Sequence, residues 1–255
     1  MIKYPKHVLI TGASGGLGSA LALAYAKNNS GIHLSLFGRN IAALDNVATA
    51  CRAFDVEVSI YALDLRDIET LTSTVTAIDI AHSIDLVIAN AGIAVYLDAN
   101  HPLETMAEAQ NSISTNLISA IATVNPLITR MQHRQRGQIA FISSIAAYHG
   151  LAISPSYCAS KAGLKAYSEA LRSLLKTNNI GVSVICPGFI ESNMSQSFHG
   201  NKPFLLSAEK SAYKILSGLK HNRACITFPY WLSLGTRLLN FLPHAVSDFC
   251  IRMII

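Results

Sequence analysis

Tyr157 and Lys161 are the residues whose types and spacing most clearly suggest acid–base chemistry. Because they are four positions apart, they lie on one face of a helix if their segment is helical. A phenol alone is a poor acid–base group at neutral pH, since its pKa is about 10. A nearby ammonium lowers that pKa and would suit Tyr157 to proton transfer. The pair alone is weak support for a catalytic site, because most Tyr-x-x-x-Lys pairs are a half-buried tyrosine beside a solvated lysine. The residues upstream of the pair therefore decide between the two interpretations.

A glycine-rich turn near the N-terminus predicts a dinucleotide site. A short apolar run at 7–10 leads into Thr-Gly-Ala-Ser-Gly-Gly-Leu-Gly at 11–18, and residues 17–27 are strong helix formers. In a strand–turn–helix unit, glycines let the backbone approach phosphate, and the helix N-terminus presents free N–H groups. A flexible turn without a ligand is the alternative. The residues predicted to bind the pyrophosphate are Gly12, Ser14, Gly15, Gly16, Leu17 and Gly18.

The end of the second predicted strand bears on the choice of cofactor. NAD sites usually have a carboxylate here, which binds the ribose 2′-hydroxyl, but this chain has Phe37, Gly38 and Arg39. A cation suits a 2′-phosphate, so the sequence predicts NADP. NAD remains the alternative if Arg39 is only a solvated loop residue.

Apolar runs separated by helical segments predict the fold. Strands are expected at about 7–10, 32–37, 56–63, 84–89, 137–143, 181–186 and 224–228, and helices at about 17–27, 102–134, 154–177 and 208–221. Continuous rather than alternating apolar strands favour a Rossmann-like doubly wound parallel sheet of about seven strands, with helices on both faces. With no linker or repeat in the sequence, residues 1–255 are expected to form a single dinucleotide-binding and catalytic domain. Pro126 is expected to interrupt or kink the long helix near 122–125.

Composition narrows the class of protein. Charged residues make up only 14% of the chain, against about 25% in typical proteins, which suggests that another subunit or a membrane covers some surface. The net charge of +5 is spread along the chain, so nucleic-acid binding is not expected. Polar residues interrupt every stretch of about 18 residues, so no membrane-spanning helix is predicted. Five cysteines without a Cys-x-x-Cys pair, and no signal peptide, predict reduced thiols in a cytoplasmic protein.

Four motifs in this order resemble the short-chain dehydrogenase/reductase family over about residues 6–195. They are Thr-Gly-x-x-x-Gly-x-Gly at 11–18, Asn-Ala-Gly at 90–92, Ser144 with Tyr-x-x-x-Lys at 157–161, and Pro-Gly at 187–188. The doubled Gly15-Gly16 also fits the loop of the family's longer epimerase and dehydratase branch. The chain length and the Asn-Ala-Gly segment favour the shorter branch, of about 250 residues.

The resemblance implies a role for each matching residue. Tyr157 would protonate the carbonyl oxygen as hydride arrives, or accept the proton in reverse. Lys161 would lower the pKa of Tyr157 and bind the nicotinamide ribose, Ser144 would orient the carbonyl, and Asn116 would hold a water in a proton relay. The implied cofactor contacts are Asp64 and Leu65 at the adenine, Asn90 at its ribose, and Ile190 and Ser192 at the carboxamide, with Ala91, Gly92, Pro187 and Gly188 in the same motifs.

The implied function is hydride transfer between NADP(H) and a carbonyl compound or secondary alcohol. NADP-dependent members often carry a second basic residue where this chain has Gly15, so the preference for NADP rests on Arg39, with Ser14. The alternative is a nucleotide-binding sensor or scaffold of the same fold with little turnover. The complete set of Ser144, Tyr157, Lys161 and Asn116 argues against it.

Two C-terminal segments bear on the substrate and the partners. Residues 188–206 are predicted to form a substrate lid, whose apolar composition favours an apolar or amphipathic substrate; a loop packed on itself is the alternative. His149, Leu151 and Ile153 are expected to line the same pocket.

Residues 229–255 are predicted to form an apolar helical extension. Trp231, Leu234, Leu238, Phe241 and Leu242 recur at helical spacing, and Pro243 would begin a second helix carrying Val246, Phe249, Cys250 and Met253. This stripe would pack on the sheet or a second subunit, or contact a membrane peripherally. The resemblance also implies a homodimer or homotetramer paired through the helices near 102–134 and 155–178.

Overall fold

The computed structural model describes residues 2–198, 200–243 and 245–247, and these contain seven parallel strands in one sheet. The strands are β1 His7–Thr11, β2 His33–Gly38, β3 Glu57–Ala62, β4 Leu86–Ala89, β5 Gly137–Ile142, β6 Ile180–Pro187 and β7 Cys225–Phe228. Their order is β3-β2-β1-β4-β5-β6-β7, and each neighbouring pair is parallel. The predicted Rossmann-like doubly wound sheet is confirmed.

Helices cover both faces of this sheet. The helices of the described residues are α1 Gly16–Asn28, α2 Ile41–Arg52, α3 Ile68–Ala81, α4 Met106–Ile113, α5 Ser119–His133, α6 Pro155–Leu174, α7 Asn193–Gln196, α8 Ala208–Lys220 and α9 Tyr230–Leu238. Buried residues of α1, α2 and α8 share one core with Val8 and Ile10, whereas those of α3, α5 and α6 share the other with Leu9. Successive residues of β1 therefore enter opposite cores, which explains why the strand is apolar throughout.

The strand order reverses between β1 and β4, and this position sets where a ligand can bind. The chain leaves β1 at Thr11 to one side of the sheet and leaves β4 at Ala89 to the other. In open α/β sheets the crevice at the carboxyl ends of such a strand pair is the usual ligand site. Both glycine-containing motifs, at 11–18 and 90–92, follow these two strand ends.

The long helix expected at 102–134 differs from the prediction in two ways. It begins at Met106, where Thr105 and Glu108 form a capping box, and a π-helical turn over Ser114–Ile118 separates α4 from α5. Of the interruption or kink expected near 122–125, the interruption was wrong, because α5 continues through Pro126. Val124 and Leu127 on either side are fully buried against the sheet, and this packing offsets the hydrogen bond that proline removes.

The C-terminal stripe faces outward instead of packing on the sheet. Trp231 is 72% exposed and Phe241 85%, and Leu238 and Leu242 are also exposed, whereas Ser233 and Leu239 are buried. Residues 245–247 are helical and Val246 is exposed, while Phe249, Cys250 and Met253 of the predicted second helix lie outside the described residues. In the part of the chain that the structure describes, no helix has the length and apolar character needed to cross a bilayer.

Candidate active site

The glycine-rich loop closes tightly against the segment that follows β4. Gly12 has φ +66°, and a Cβ added to it would lie 2.8 Å from the Cα of Ala91. A Cβ on Gly18 would lie 2.1 Å from the carbonyl oxygen of Gly12. Only glycine fits these two positions without moving backbone. Gly15 differs, because its added Cβ would meet no atom of the described residues within 4 Å.

Thr11 joins the two strand ends by hydrogen bonds. Its hydroxyl accepts hydrogen bonds from the backbone N–H groups of Asn90 (3.0 Å) and Ala91 (3.1 Å). The side-chain amide of Asn90 donates to the carbonyl oxygen of Thr11 at 2.9 Å. Asn90 therefore fixes the crevice walls in addition to lining the crevice. Thr11 was not among the predicted site residues, although a hydroxyl at the strand end before the first glycine was a signal.

Arg39 and Asp64 lie at the outer end of the crevice. Arg39 is exposed, and the Ser14 hydroxyl lies next to the end of β2, 3.2 Å from a Cβ added to Gly38. Asp64 pairs with Arg66 at 2.5 Å. Hydrogen bonds from Arg66 lower the pKa of Asp64 to about 2, so its carboxylate is ionised and already paired. Arg66 thus adds a second cation that the sequence reading missed.

Lys161 lies buried at the base of the crevice. Its ammonium donates a hydrogen bond to the carbonyl oxygen of Ile142 at 2.9 Å and lies 5.7 Å from the ring centre of Tyr157. Burial lowers the pKa of Lys161 to about 8. A Cβ on Gly92 would lie 3.2 Å from the Lys161 ammonium and 3.3 Å from the Asn116 side-chain oxygen. Glycine at 92 leaves room for both.

Tyr157 is half-buried in the crevice wall, and this raises its pKa above the ordinary value. The Ser144 hydroxyl interacts with the phenol and acts in the opposite direction. The sequence reading expected Lys161 to lower the pKa of Tyr157; in this geometry loss of water outweighs any such effect, because the ammonium is directed at Ile142. Tyr157 is therefore protonated at neutral pH, as a proton donor requires.

Asn116 is fully buried in the π-helical turn behind the crevice. Its side-chain oxygen accepts from the backbone N–H of Ile93 at 2.8 Å, and its amide donates to Ile93 O at 2.9 Å and to the Ser160 hydroxyl at 3.0 Å. A buried polar side chain needs such partners. Asn116 therefore fixes the chain after Gly92 and does not itself line the crevice.

The crevice is a cleft of about 980 Å³ that brings most of the predicted residues together. Of these residues, the following line it: Gly12, Ser14, Gly15, Gly16, Leu17, Arg39, Asp64, Leu65, Asn90, Ala91, Gly92, Ser144, Tyr157, Lys161, Pro187, Gly188, Ile190 and Ser192. Gly18 and Asn116 lie behind its wall. Gly18 was predicted to contact the cofactor, but its place is where α1 packs against the Gly12 carbonyl.

Two sides of the cleft meet at Tyr157. The glycine side comprises residues 12–17, 38–40, 63–66 and 90–92, and the aromatic side comprises residues within 145–153, 189–204 and 231–239. His149, Leu151 and Ile153 line the aromatic side, as predicted. Trp231, Leu232, Gly235, Thr236 and Leu239 line it as well. These residues of the C-terminal segment were missed, because helical spacing alone does not tell which side of α9 faces inward.

Comparison with known proteins identifies the family. The sequence model of the short chain dehydrogenase family matches residues 6–202. The chain belongs to the short-chain dehydrogenase family. An uncharacterized oxidoreductase from Myxococcus xanthus is 32% identical over 249 residues, which cover 97% of this chain and 96% of that protein. The predicted family is confirmed, and with it an oxidoreductase fold.

Solved structures of other short-chain dehydrogenases have the same fold. A short-chain dehydrogenase from Sphingobium yanoikuyae in complex with NADPH superposes with a TM-score of 0.80 at 23% identity, over 94% of this chain and 97% of that one. An L-sorbose reductase from Gluconobacter frateurii, complexed with NADPH and L-sorbose, gives 0.75 at 23% identity, over 87% and 93%. At such identities these similarities concern the fold.

Proposed function

We propose that this protein transfers a hydride between NADP(H) and a carbonyl compound or secondary alcohol, with Tyr157 as the acid–base group. The observation that carries the proposal is the place of Tyr157, Lys161 and Ser144 at the junction of the two sides of the cleft. The glycine side is shaped for phosphates and the aromatic side for an organic substrate. A proton donor between them is positioned to act where the two ligands would meet.

The residues of the glycine side fit a dinucleotide. The Gly12–Gly16 backbone and the N-terminus of α1 would hold the pyrophosphate, and Arg39 with Ser14 would hold a 2′-phosphate. Next to the glycine side, Pro187, Gly188, Ile190 and Ser192 would contact the carboxamide end; Ser192 lies 3.2 Å from a Cβ added to Gly16. When bound, the cofactor supplies the hydride. The NADPH in the two solved relatives supports NADP, and NAD is the alternative that the binding test below addresses.

Tyr157 and the side chains around it have separate roles in the proposed hydride transfer. Tyr157 donates its proton to the substrate oxygen, and Ser144 donates a second hydrogen bond that orients the carbonyl. Lys161 binds ribose hydroxyls through its ammonium and keeps positive charge near the phenol. Asn116 supports this arrangement from behind the wall, because its side chain holds the backbone of Ile93 next to Gly92 and Lys161. We assign it this positioning role in place of the water relay that the resemblance implied. The reverse reaction uses the same groups as acceptors.

The aromatic side favours an apolar or amphipathic substrate. Phe189, Phe198, Phe204 and Trp231 line it, and none of the described residues lining this side carries a carboxylate. Residues 188–206 act as the substrate lid, whose two ends are joined by the bridge between Ile190 and Leu206. A ketone on a hydrocarbon chain fits such a wall better than a charged sugar acid.

A binding experiment followed by a turnover experiment tests the proposal. NADPH and NADH are titrated by nicotinamide fluorescence into wild type and Arg39→Ala, and ketones of increasing chain length are then offered with the tighter cofactor. We expect NADPH to bind at least about tenfold more tightly than NADH, and the gap to disappear in Arg39→Ala. Equal binding in wild type would contradict the cofactor assignment. Tight binding without turnover of any ketone or alcohol would favour the sensor or scaffold.

The protein is proposed to act as one domain in a homodimer or homotetramer. Leu103, Met106 and Leu174 are exposed near the two helices expected to pair, whereas Trp231 and Phe241 expose the C-terminal stripe. Gel filtration and liposome flotation separate the two uses of apolar surface. Dimers that do not float would support pairing, and floating monomers would support peripheral membrane contact through 229–255 instead.

A further inference from the structure

Four side chains from distant parts of the sequence meet at Cys225. Tyr148 follows the turn Ile145–Ala147, Cys186 lies in β6, Cys225 begins β7, and Arg237 is in α9. The Tyr148 hydroxyl lies 3.4 Å from Cys225 Sγ, and an Arg237 nitrogen lies 3.7 Å from the same sulfur. That nitrogen also donates to the Tyr148 hydroxyl at 2.5 Å. The hydride-transfer mechanism uses none of these groups.

This environment favours the thiolate form of Cys225. Cys186, Tyr148 and Arg237 can each donate a hydrogen bond to its sulfur, and together they lower its pKa to about 6 against the opposing effect of burial. The ammonium of Lys165, 5.6 Å from the Tyr148 ring centre, adds positive charge on the side of α6. Cys225 is only half-buried. A partly exposed thiol among cations and donors is the environment of reactive cysteines.

The other thiols provide a contrast within the same chain. Cys51 is fully buried in α2, and burial raises its pKa to about 11. Burial likewise raises the pKa of Cys158. Buried thiols of this kind are inert, because neither the thiolate nor an approach for a reagent is favoured. Reactivity is therefore expected to differ sharply between Cys225 and these two.

We propose that Cys225 is a modification site, a thiolate that hydrogen peroxide oxidises to a sulfenic acid. The sulfur attacks one peroxide oxygen, an S–O bond forms as the O–O bond breaks, and hydroxide leaves and is neutralised to water by the proton that the thiol released to solvent on ionising. The sulfur is oxidised and the peroxide is reduced, so the step needs no other reactant. The reaction does not depend on the dinucleotide or on Tyr157.

The sulfenic acid would have one thiol beside it. Cys186 lies in the neighbouring strand, where Cys225 pairs in register with Val184 and Cys186 with Thr227, and its thiol can hydrogen-bond the Cys225 sulfur. Condensation of the sulfenic acid with this thiol would release water and form a disulfide. A trapping reagent present during the peroxide treatment competes with that step and marks the sulfenic acid first.

Oxidation of Cys225 would affect the aromatic side of the cleft through the side chains that hydrogen-bond to its sulfur. Arg237 and Asn240 hold the segment at Tyr148, the latter by donating to Tyr148 O at 2.7 Å. Asn240 also hydrogen-bonds His149 at 2.9 Å, and His149 lines the cleft. An oxygen added to the sulfur between Tyr148 and Arg237 would separate them. We expect the main effect on substrate affinity, because this chain of hydrogen bonds ends at His149 on the aromatic side.

Alkylation kinetics test the thiolate directly, without any enzymatic activity. Wild type is treated with iodoacetamide over a pH series, and the rate at each cysteine is read by peptide mass spectrometry, which also separates Cys250. We expect the rate at Cys225 to reach half its maximum near pH 6, as against about 8.5 for an ordinary thiol. Arg237→Gln should move that midpoint upward by about one unit or more, and Arg237→Lys by less. A wild-type midpoint at 8 or above, or labelling no faster than at Cys51, would overturn the proposal.

Peroxide treatment tests the product and its consequence. Dimedone trapping should mark Cys225 first in wild type and leave Cys225→Ser unmarked. A first mark at another cysteine would overturn the proposal. The consequence rests on the proposed function: peroxide should raise the KM for ketone severalfold in wild type, leave NADPH affinity unchanged, and spare Cys225→Ser. Trapping at Cys225 in a protein without turnover would uphold the site while refuting the proposed function, so the two failures are distinguishable.

Discussion

The glycine side and the aromatic side of the cleft are built from different parts of the backbone. On the glycine side, close approach of main chain to main chain restricts the residue type, as at Gly18, where an added Cβ would lie 2.1 Å from Gly12 O. On the aromatic side, side chains from three separate segments form the wall, and Gly235, which lines it, has open space around an added Cβ. Backbone recognition therefore constrains sequence tightly, whereas a wall of side chains can change composition and keep its shape.

The largest predicted effect is a difference in stability between two alanine variants of the glycine-rich loop, one at Gly18 and one at Gly15. Gly18→Ala places a methyl group against backbone, and we expect it to lower the free energy of unfolding by about 3 kcal/mol, the upper end of the cost of overpacking. The melting temperature should fall by about 6–12 °C. Gly15→Ala is the matched control, since its Cβ is free and its φ of −179° is extended. Equal melting temperatures for the two variants would contradict the close packing at residue 18.

The pH dependence of turnover should report on the junction between the two sides. Because burial disfavours the ammonium, the pKa of Lys161 is lowered to about 8, and the residue is a cation below that pH and neutral above it. The ratio kcat/KM for NADPH reports ionisation of the free protein. It should therefore fall about tenfold per pH unit above pH 8 if the cation is needed.

Two controls accompany that profile. Cys225→Ser should give the same curve, which separates Lys161 from the thiolate, and melting temperatures should exclude unfolding. The phenol of Tyr157 does not compete in this range, because its pKa is raised. A profile that stays level well above pH 8 would show that the charge of Lys161 is not required.

A smaller effect is expected at the mouth of the aromatic side. Trp231 is the only tryptophan in the sequence, lines the cleft and is largely exposed. Trp231→Ala should raise KM about fivefold, or roughly 1 kcal/mol, for long-chain ketones alone, since only these reach the indole. Phe241→Ala removes an exposed aromatic ring outside the cleft and should change neither class. An equal rise for short ketones would place Trp231 in a structural role.

The glycine side could be predicted from sequence because each of its segments is a short run directly after an apolar strand. The motifs at 11–18 and 90–92 follow two apolar strands, and a parallel sheet brings the carboxyl ends of such strands to one edge. The proposed catalytic residues Tyr157 and Lys161 were found from their spacing, since one helix holds both. Where residues that lie together in the fold also have a regular spacing in the sequence, that spacing was enough to predict the site.

The part of the aromatic side that residues 231–239 form, and the Cys225 cluster, could not be predicted, for two physical reasons. The helical spacing of Trp231, Leu238 and Phe241 indicates a stripe, but it does not tell whether a helix turns that stripe inward or outward. Contacts between Tyr148 and Arg237 span 89 residues and depend on the register of β7 on β6. The π-helical turn at 114–118 was missed as well, because its residues are ordinary helix residues that the buried amide of Asn116 holds in place.

Turnover by Tyr157→Phe, measured beside its NADPH affinity, tests the central claim most directly. Phenylalanine keeps the ring and removes only the hydroxyl that would donate the proton. The predicted result is a fall in kcat/KM for the ketone of about 10²–10⁴-fold, with the dissociation constant of NADPH within about twofold of wild type. Comparable turnover in the two proteins would contradict the role of Tyr157 and, with it, the proposed mechanism.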